Sequence, residues 1–574
     1  MKASQARCPW TTAVVLSLVL CTAPVGAETA ATAALSNESG ETSLAEQLDE
    51  LFAAAYPADE PGAAVLVRRG DEILLQEGYG MADMELDVGI EPHMIFRIGS
   101  ITKQFTAVAV LMLVEDGKLA LDQTIRQVLP DYPQVHGDEV TVEQLLTHVS
   151  GIPSYTDQPT FWEVANDDAS LEERVEFFSS EELEFEPGSQ WKYNNSAYLL
   201  LGAILEKVAG TTYSDFLQQR IFDPLQMSSS SYGDPERIVK GRVEGYQPQG
   251  EARFRIADYI SMDWPYSAGS LLSSVADLDR WDQALYGDKL LPRTTLEKAW
   301  TSAKLNDGSA TGYGYGWAVG QVAGHRLIQH GGGIHGFRTQ AIRIPDEKIF
   351  VAVFTNGART SPTSMARRAV QLLLGEPLPD VDDVVYQVAA ETLESYVGVY
   401  RIDEETTRIV KLIDGALTTQ RTGGGVSTPI PLSDTRFFYD DSLTTLDFVV
   451  ENAEVVAQVM TPWGDEPERA ERTDDPIPEG PQRADVDPAL YERVAGVYEL
   501  RPGFTLTAFR DGDRFMVQGT GQPPVESIPS SPTEFFNETL GARIVFEMDE
   551  SGERAVALTL HQGGRQLRGE RTDG

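Results

Sequence analysis

The stretch "RIGSITKQFTAVAVLMLVEDGKL", residues 97–119, decides how this chain is read. Phe105, Val108, Ala109, Met112 and Leu113 recur at intervals of three and four, the period of a helix with one buried face. The spacing predicts a helix over 100–116. Ser100 and Lys103 stand three places apart at its head, so they share one side of it. Lysine is among the residues least often buried, yet this one is set beside a core. A serine hydroxyl is nearly inert until a base takes its proton. A lysine can take one only when its own pKa falls, and burial lowers it. Taken alone, Lys103 is equally well read as a stem lying on apolar surface with its ammonium in water. A second S-x-x-K, Ser189 to Lys192, follows "EPG" and sits in a turn sequence. Ser100 has the better context. Its N–H lies at a helix start, where amides lack an intrahelical partner, and such an amide can stabilise an oxyanion.

Two further segments carry chemistry. "FEPGSQWKYNNSAYLLLG" holds Tyr193 and Asn195, spaced Y-x-N, in a loop before a helix. A phenol near a lysine can relay a proton to a leaving group, and the amide beside it can orient substrate and lysine. Alone, Tyr193 is also read as a packed loop aromatic. "QHGGGIHGF" sets three glycines, Gly331 to Gly333, after His330. Without side chains their N–H groups stay open to close approach, so this strand edge can give a second oxyanion donor. The same glycines also suit a bulge or a tight turn. His330 can bind a substrate carboxylate or shuttle protons, and His335 follows closely. Neither belongs to an HExxH or to an acid-rich ligand cluster, so no metal is expected. The chemistry needs no cofactor.

Outward from these motifs, "GAAVLVRRGDEILLQEGYG" reads as a hairpin about Gly70 and Asp71. "VTVEQLLTHVSG" reads as a helix stopped by Gly151, and "SAYLLLGAILEKVAG" as one stopped by Gly210. "TYSDFLQQRIFDPL" is another helix. "HRLIQHGGGIHGFRTQAIRIPDEKIFVAVFTN" returns to strands. A hairpin first, helices between and strands last give an α+β domain over 44–375 whose first and last strands share one antiparallel sheet. A linker over 376–390 follows, and then the chain repeats itself. "ESYVGVYRI" returns as "ERVAGVYEL", with Gly398 and Gly496, Tyr400 and Tyr498, and Phe437 and Phe535 each 98 residues apart. Each copy carries an Asp-Gly turn, Asp414-Gly415 and Asp511-Gly512, a strong hairpin signal. Two small all-β units, lipocalin-like barrels, are expected over 391–475 and 488–574, joined by a linker over 476–487.

The chain has 574 residues, too many for one ordinary core. Residues 1–27 have a basic start, a short apolar run and small residues for a cut after Ala27, the pattern of a signal peptide. A membrane anchor or lipidation at Cys21 is the lesser reading, because "LVLC" lacks the small residues that precede a lipidated cysteine. Residues 28–43 form a flexible leader. Both cysteines, Cys8 and Cys21, lie in the signal segment, so the mature chain has neither disulfide nor thiol nucleophile. A periplasmic or secreted place follows. No later apolar run is long enough to span a bilayer. A net charge of −42 argues against nucleic acid and anionic membranes as partners. The expected partner is a small-molecule or peptide substrate.

Ser100-x-x-Lys103, Tyr193-x-Asn195 and His330-x-Gly332, in that order, resemble the serine β-lactamase and penicillin-binding protein family, especially its class C-like branch. "LLTHVSGIPSY" and "EPGSQWKYNNSAYLLLG" are similar to hallmark segments of that branch. The resemblance implies an antiparallel sheet flanked by helices, with a helical lobe beside it and the site between them. It implies Ser100 as nucleophile, Lys103 as its partner, Tyr193 as general base and acid with Asn195 assisting, and oxyanion contacts from Ser100 and the Gly332–Gly333 strand. His330 stands where β-lactamases carry the lysine of K-T-G, a departure that argues against an efficient β-lactamase. The H-x-G form is similar to that of D-aminopeptidases and several esterases, and the former share the layout of a catalytic domain with two barrels. An exported serine hydrolase of amides or esters is expected, peptidase-like or esterase-like. The alternatives are a β-lactamase or DD-carboxypeptidase, a non-catalytic penicillin-binding or envelope-binding protein that keeps the pocket, and a chain whose barrels carry the function as carbohydrate- or envelope-binding modules.

Overall fold

Helix α1 (Leu44–Ala55) leads into a hairpin of β1 (Ala63–Arg69) and β2 (Glu72–Tyr79), turned by Gly70 at φ +60°. The computed structural model describes residues 42–158, 160–250, 253–376, 386–404, 406–413, 415–422, 424–478, 483–501, 504–520, 524–537, 540–562 and 565–572. The expected signal peptide, the leader up to residue 41, most of the first linker and Asp414 lie outside them.

After the hairpin come α2 (Thr102–Glu115), α3 (Val142–Leu146) and α4 (Asn195–Ala209). The chain then returns through β3 (Ala318–Val322), β4 (His325–Ile334), β5 (Phe337–Ile344) and β6 (Ile349–Thr355), and ends the domain with α5 (Pro362–Leu374). The sheet order is β3-β4-β5-β6-β1-β2. β1 and β6 pair antiparallel from Ala63 with Thr355 to Arg69 with Ile349. The first and last strands thus lie side by side, as the α+β reading requires.

Successive side chains of a strand point to opposite faces, and here both faces are covered. Val65, Val67, Val351 and Val353 enter one core with α1 and α5. Ala64, Leu66, Phe350, Ala352 and Phe354 enter a second core with α2 and α4. Each such Val, Leu or Phe contributes roughly 1.5–3 kcal/mol by leaving water. That continuous burial explains why these strands read as unbroken apolar runs.

One helix is shorter than expected. The segment predicted to run to Gly151 leaves the helix at Leu146, and His148 turns the chain at φ +62°. His148 is drawn under the site, where Asn194 N–H donates to its Nδ1 (3.1 Å). Gly210 ends α4 in the left-handed conformation as expected.

Two nine-stranded sheets follow. Each is a meander in which the first strand also pairs with the last: Gly398–Arg401 with Glu468–Thr473, and Gly496–Arg501 with Arg565–Arg571. The two copies repeat down to single bonds. Tyr400 Oη donates to Tyr396 O (2.7 Å), and Tyr498 Oη to Val494 O (2.8 Å). Thr407 N–H donates to Thr422 Oγ1 (2.9 Å), and Thr505 N–H to Thr520 Oγ1 (2.8 Å). Each copy opens with a short helical segment, Ala390–Tyr396 and Tyr491–Val494, inside units expected to be all β.

The first copy closes over the α+β domain. Trp463 is buried among Leu327 and its neighbours, with the Arg367 guanidinium 5.0 Å from its ring. Gln321 N–H in β3 donates to Gly464 O (3.3 Å). An unpaired sheet edge invites pairing with other chains, and this loop covers the one that β3 offers.

Candidate active site

The site lies where the head of α2 meets β4. Gly99 has φ +52°, and a Cβ there would come within 2.8 Å of Gly333 N. Only glycine allows that approach, which brings the Ser100 turn against the strand. Gly332 is equally confined, since a Cβ would lie 2.0 Å from Ile98 O. Gly333 is different: a Cβ there would meet nothing within 4 Å, because it faces the cleft. The three glycines form neither a bulge nor a turn. They continue β4, pairing with β5 from Gly331 opposite Gln340 to Gly333 opposite Arg338. β3 stops pairing at Gln329, so the outer edge of β4 beyond it is free to face the site.

Lys103 does not reach solvent; it is 0% exposed. Its Nζ lies 2.8 Å from Asn195 Oδ1, 2.9 Å from Ala268 O and 3.3 Å from Ser100 Oγ. The Tyr193 ring centroid is 4.7 Å away. Burial holds the Lys103 amine well below the usual lysine range. Ser189 and Lys192 are set apart from this arrangement. Lys192 is half exposed and pairs with Glu184 and Asp157.

Asn194 caps α4 by accepting from Ala197 N–H (2.8 Å), which fixes Tyr193 and Asn195 on either side of the helix start. Asn195 Nδ2 donates to Thr156 Oγ1 (3.1 Å), leaving Oδ1 for Lys103. The Tyr193 hydroxyl is buried without a well-formed hydrogen bond. Burial pushes its pKa up, and the neighbouring Ser100 hydroxyl offsets part of that. A phenol so placed holds its proton more firmly than a free tyrosine does.

His330 differs from expectation. Its Nδ1–H donates to Gly331 O (2.6 Å), and Tyr313 Oη donates to its Nε2 (2.9 Å). The carbonyl can only accept, which fixes the tautomer. Both ring nitrogens are occupied and the ring is buried, so His330 is not presented to a substrate carboxylate. Burial pushes it down to about 4, with the Lys103 charge adding to the effect.

The sequence reading passed over three residues. His148 packs its ring against Tyr193, Tyr198 and Tyr313 at 4.5, 5.1 and 4.7 Å. Tyr313 ties His330 into that cluster, and Ala268 O holds the lysine. His148 stood within a quoted hallmark segment; an isolated backbone carbonyl leaves no trace in sequence.

The cleft at Ser100 has a volume of about 150 Å³. Tyr155, Phe161, Trp162, Ile260 and Ile334 wall it, and His335 stacks on Trp162 at 5.8 Å. Among the described residues no lysine or arginine lines it, and every lining residue falls within 100–335, none in the two copies. No group of three metal-ligating side chains converges among the described residues, and no described helix is long and apolar enough to cross a membrane.

A family model described as Beta-lactamase matches residues 48–375. Penicillin-binding protein 4* of Bacillus subtilis (strain 168) is 28% identical over 454 residues, which cover 75% of this chain and 98% of that protein. The octameric penicillin-binding protein homologue from Pyrococcus abyssi superposes with a TM-score of 0.53 at 27% identity, over 75% of this chain and 99% of its own. A penicillin-binding protein from Bacillus halodurans gives a TM-score of 0.50 at 26% identity, over 57% and 98%.

Proposed function

The chain belongs to the beta-lactamase family, and from that premise we propose that it is an exported serine hydrolase working through an acyl-enzyme on Ser100. The observation that carries this reading is the placement of Lys103. A neutral amine has two N–H bonds and one lone pair. Asn195 Oδ1 and Ala268 O can only accept, so they take both N–H bonds. The lone pair then faces Ser100 Oγ, where a general base must stand.

In this reading Ser100 Oγ attacks the carbonyl carbon as its proton passes to Lys103. The N–H groups of Ser100 and Gly333 receive the oxyanion, each worth about 3 kcal/mol in sites of this kind. Tyr193 holds and relays the proton that the leaving group takes. Water then attacks the ester on Ser100, and the same groups work in reverse.

The cleft supports an acyl group that carries no carboxylate. Its walls are aromatic and aliphatic, no fixed cation lines it among the described residues, and both nitrogens of His330 are engaged. A peptidase-like or esterase-like activity therefore stands ahead of a β-lactamase or DD-carboxypeptidase, whose substrates carry a carboxylate to be held. Export rests on the signal pattern over 1–27 and on both cysteines lying within it.

The test is product release from D- and L-aminoacyl anilides, short-chain nitrophenyl esters and a chromogenic cephalosporin, each beside Ser100→Ala. Turnover of an aminoacyl amide or an ester without a carboxylate, lost in Ser100→Ala, is the expected result. Preference for the cephalosporin would overturn the substrate reading, and silence across the panel would favour a non-catalytic binder.

A further inference from the structure

The second C-terminal copy encloses a cavity of about 380 Å³, larger than the cleft at Ser100. Leu506, Val517, Ile544 and Leu560 form its walls, and no charged side chain lines it among the described residues. Leu540 and Leu567 also line it while remaining 42% and 37% exposed, which places an apolar rim at its mouth.

The first copy is a control within the same chain. Matching strand registers set Arg408 opposite Arg421 where the second copy has Leu506 opposite Gly519. Tyr439 faces Thr444 where Asn537 faces Ala542. Met460 faces Glu468 where Leu560 faces Leu567. In the first copy Arg408 and Thr444 are buried, Tyr439 is partly buried and Arg421 is half exposed. Arg408, 3% exposed, donates to Glu468 (2.7 Å), Arg421 pairs with the same carboxylate (3.2 Å), and the Thr419 and Tyr439 hydroxyls lie 2.6 Å apart. Every replacement in the second copy except Met460 to Leu560 removes volume, charge or both. One repeat is plugged by its own side chains and its twin is emptied at the same positions.

A small barrel has room inside either for its own side chains or for one small ligand. We propose that the second copy binds the aliphatic tail of a single-chain amphiphile of the fatty-acid class. The apolar part of the wall is aliphatic apart from Phe504, and Ser527, Asn537 and Gln562 are the polar side chains that line it, which suits a flexible chain rather than a ring that needs aromatic faces. A carboxylate drawn inside would find no charged partner among the described lining residues, so the head group stays in water at the mouth. This inference stands apart from the chemistry at Ser100.

The full chain carrying Ser100→Ala is titrated with cis-parinaric acid, whose fluorescence rises as its chain leaves water. One probe should bind per chain. Leu506→Arg with Leu567→Glu copies the ion pair of the first repeat and should weaken binding about tenfold or more, a change of about 1.4 kcal/mol or more. Ala542→Phe fills the void without charge and carries the same expectation, should the double variant fail to fold. Dodecanol should displace the probe as well as dodecanoate does, since recognition lies in the tail. No binding by the parent chain, undiminished binding in a folded filled variant, or displacement by dodecanoate alone would overturn the proposal. Binding seen only after residues 1–27 are removed would make the chain's own apolar segment the occupant, and would also overturn it.

Discussion

Lys103 concentrates the residue-scale account. Its burial depresses the amine, so the neutral form that can accept the Ser100 proton gains population as pH rises through a value below the ordinary 10.4 or so. The rate kcat/KM should therefore climb with pH along one limb below that value. It should show no limb near 6.5, because His330 is pushed down to about 4 and stays neutral there. A limb near 6.5 that vanishes in His330→Asn would contradict this. Lys103→Met keeps the bulk but not the lone pair, and should cost several decades of kcat with little change in fold. The same burial of His330 has a consequence for stability. Unfolded, it takes a proton near 6.5; folded, only near 4. Between those values the unfolded state holds more protons, so stability falls as pH drops through that window, by roughly 3 kcal/mol. His330→Asn should flatten that part of a pH series of denaturant midpoints. Ser100 and Lys103 were legible because a charge at the head of an apolar helix conflicts with its setting. The engagement of His330 by Tyr313 was not, since their meeting depends on how β4 and the preceding loop pack.

At the scale of elements, the glycine strand divides sharply. Gly332 is wedged under Ile98 O, and Gly333 opens onto the cleft. Gly332→Ala should lower the melting temperature and activity together, by the strain that overpacking brings, about 1–3 kcal/mol. Gly333→Ala should melt like the parent while losing turnover, because its methyl enters substrate space. Parallel thermal melts and ester assays check both, and equal melts for the two variants would contradict the assignment of faces. The hairpin, the returning strands and α4 were readable from period and from glycine stops. The early end of α3 was not. A histidine at positive φ is chosen by tertiary contacts with Asn194 and the ring cluster, and no local propensity announces it.

At the scale of the molecule, the internal repeat was visible in the sequence through a few landmarks, and the structure extends it to paired threonines and tyrosines. Its two roles were hidden because they depend on surfaces. Trp463 lies in the loop of the first copy that covers the β3 edge. Trp463→Ala should destabilise the whole chain by about 3–5 kcal/mol, the usual cost of emptying a buried aromatic site. It should leave the kcat of the folded fraction near that of the parent, since the described residues that line the cleft all fall within 100–335. Denaturant midpoints beside active-site titration check this. The most direct test of the central claim is intact-protein mass spectrometry of the chain, quenched with acid during turnover of a nitrophenyl ester and followed by peptide mapping. One acyl group per chain, carried by Ser100 and absent from Ser100→Ala, is the predicted result. An acyl group on another residue, Ser189 included, or turnover that persists in Ser100→Ala, would contradict the account.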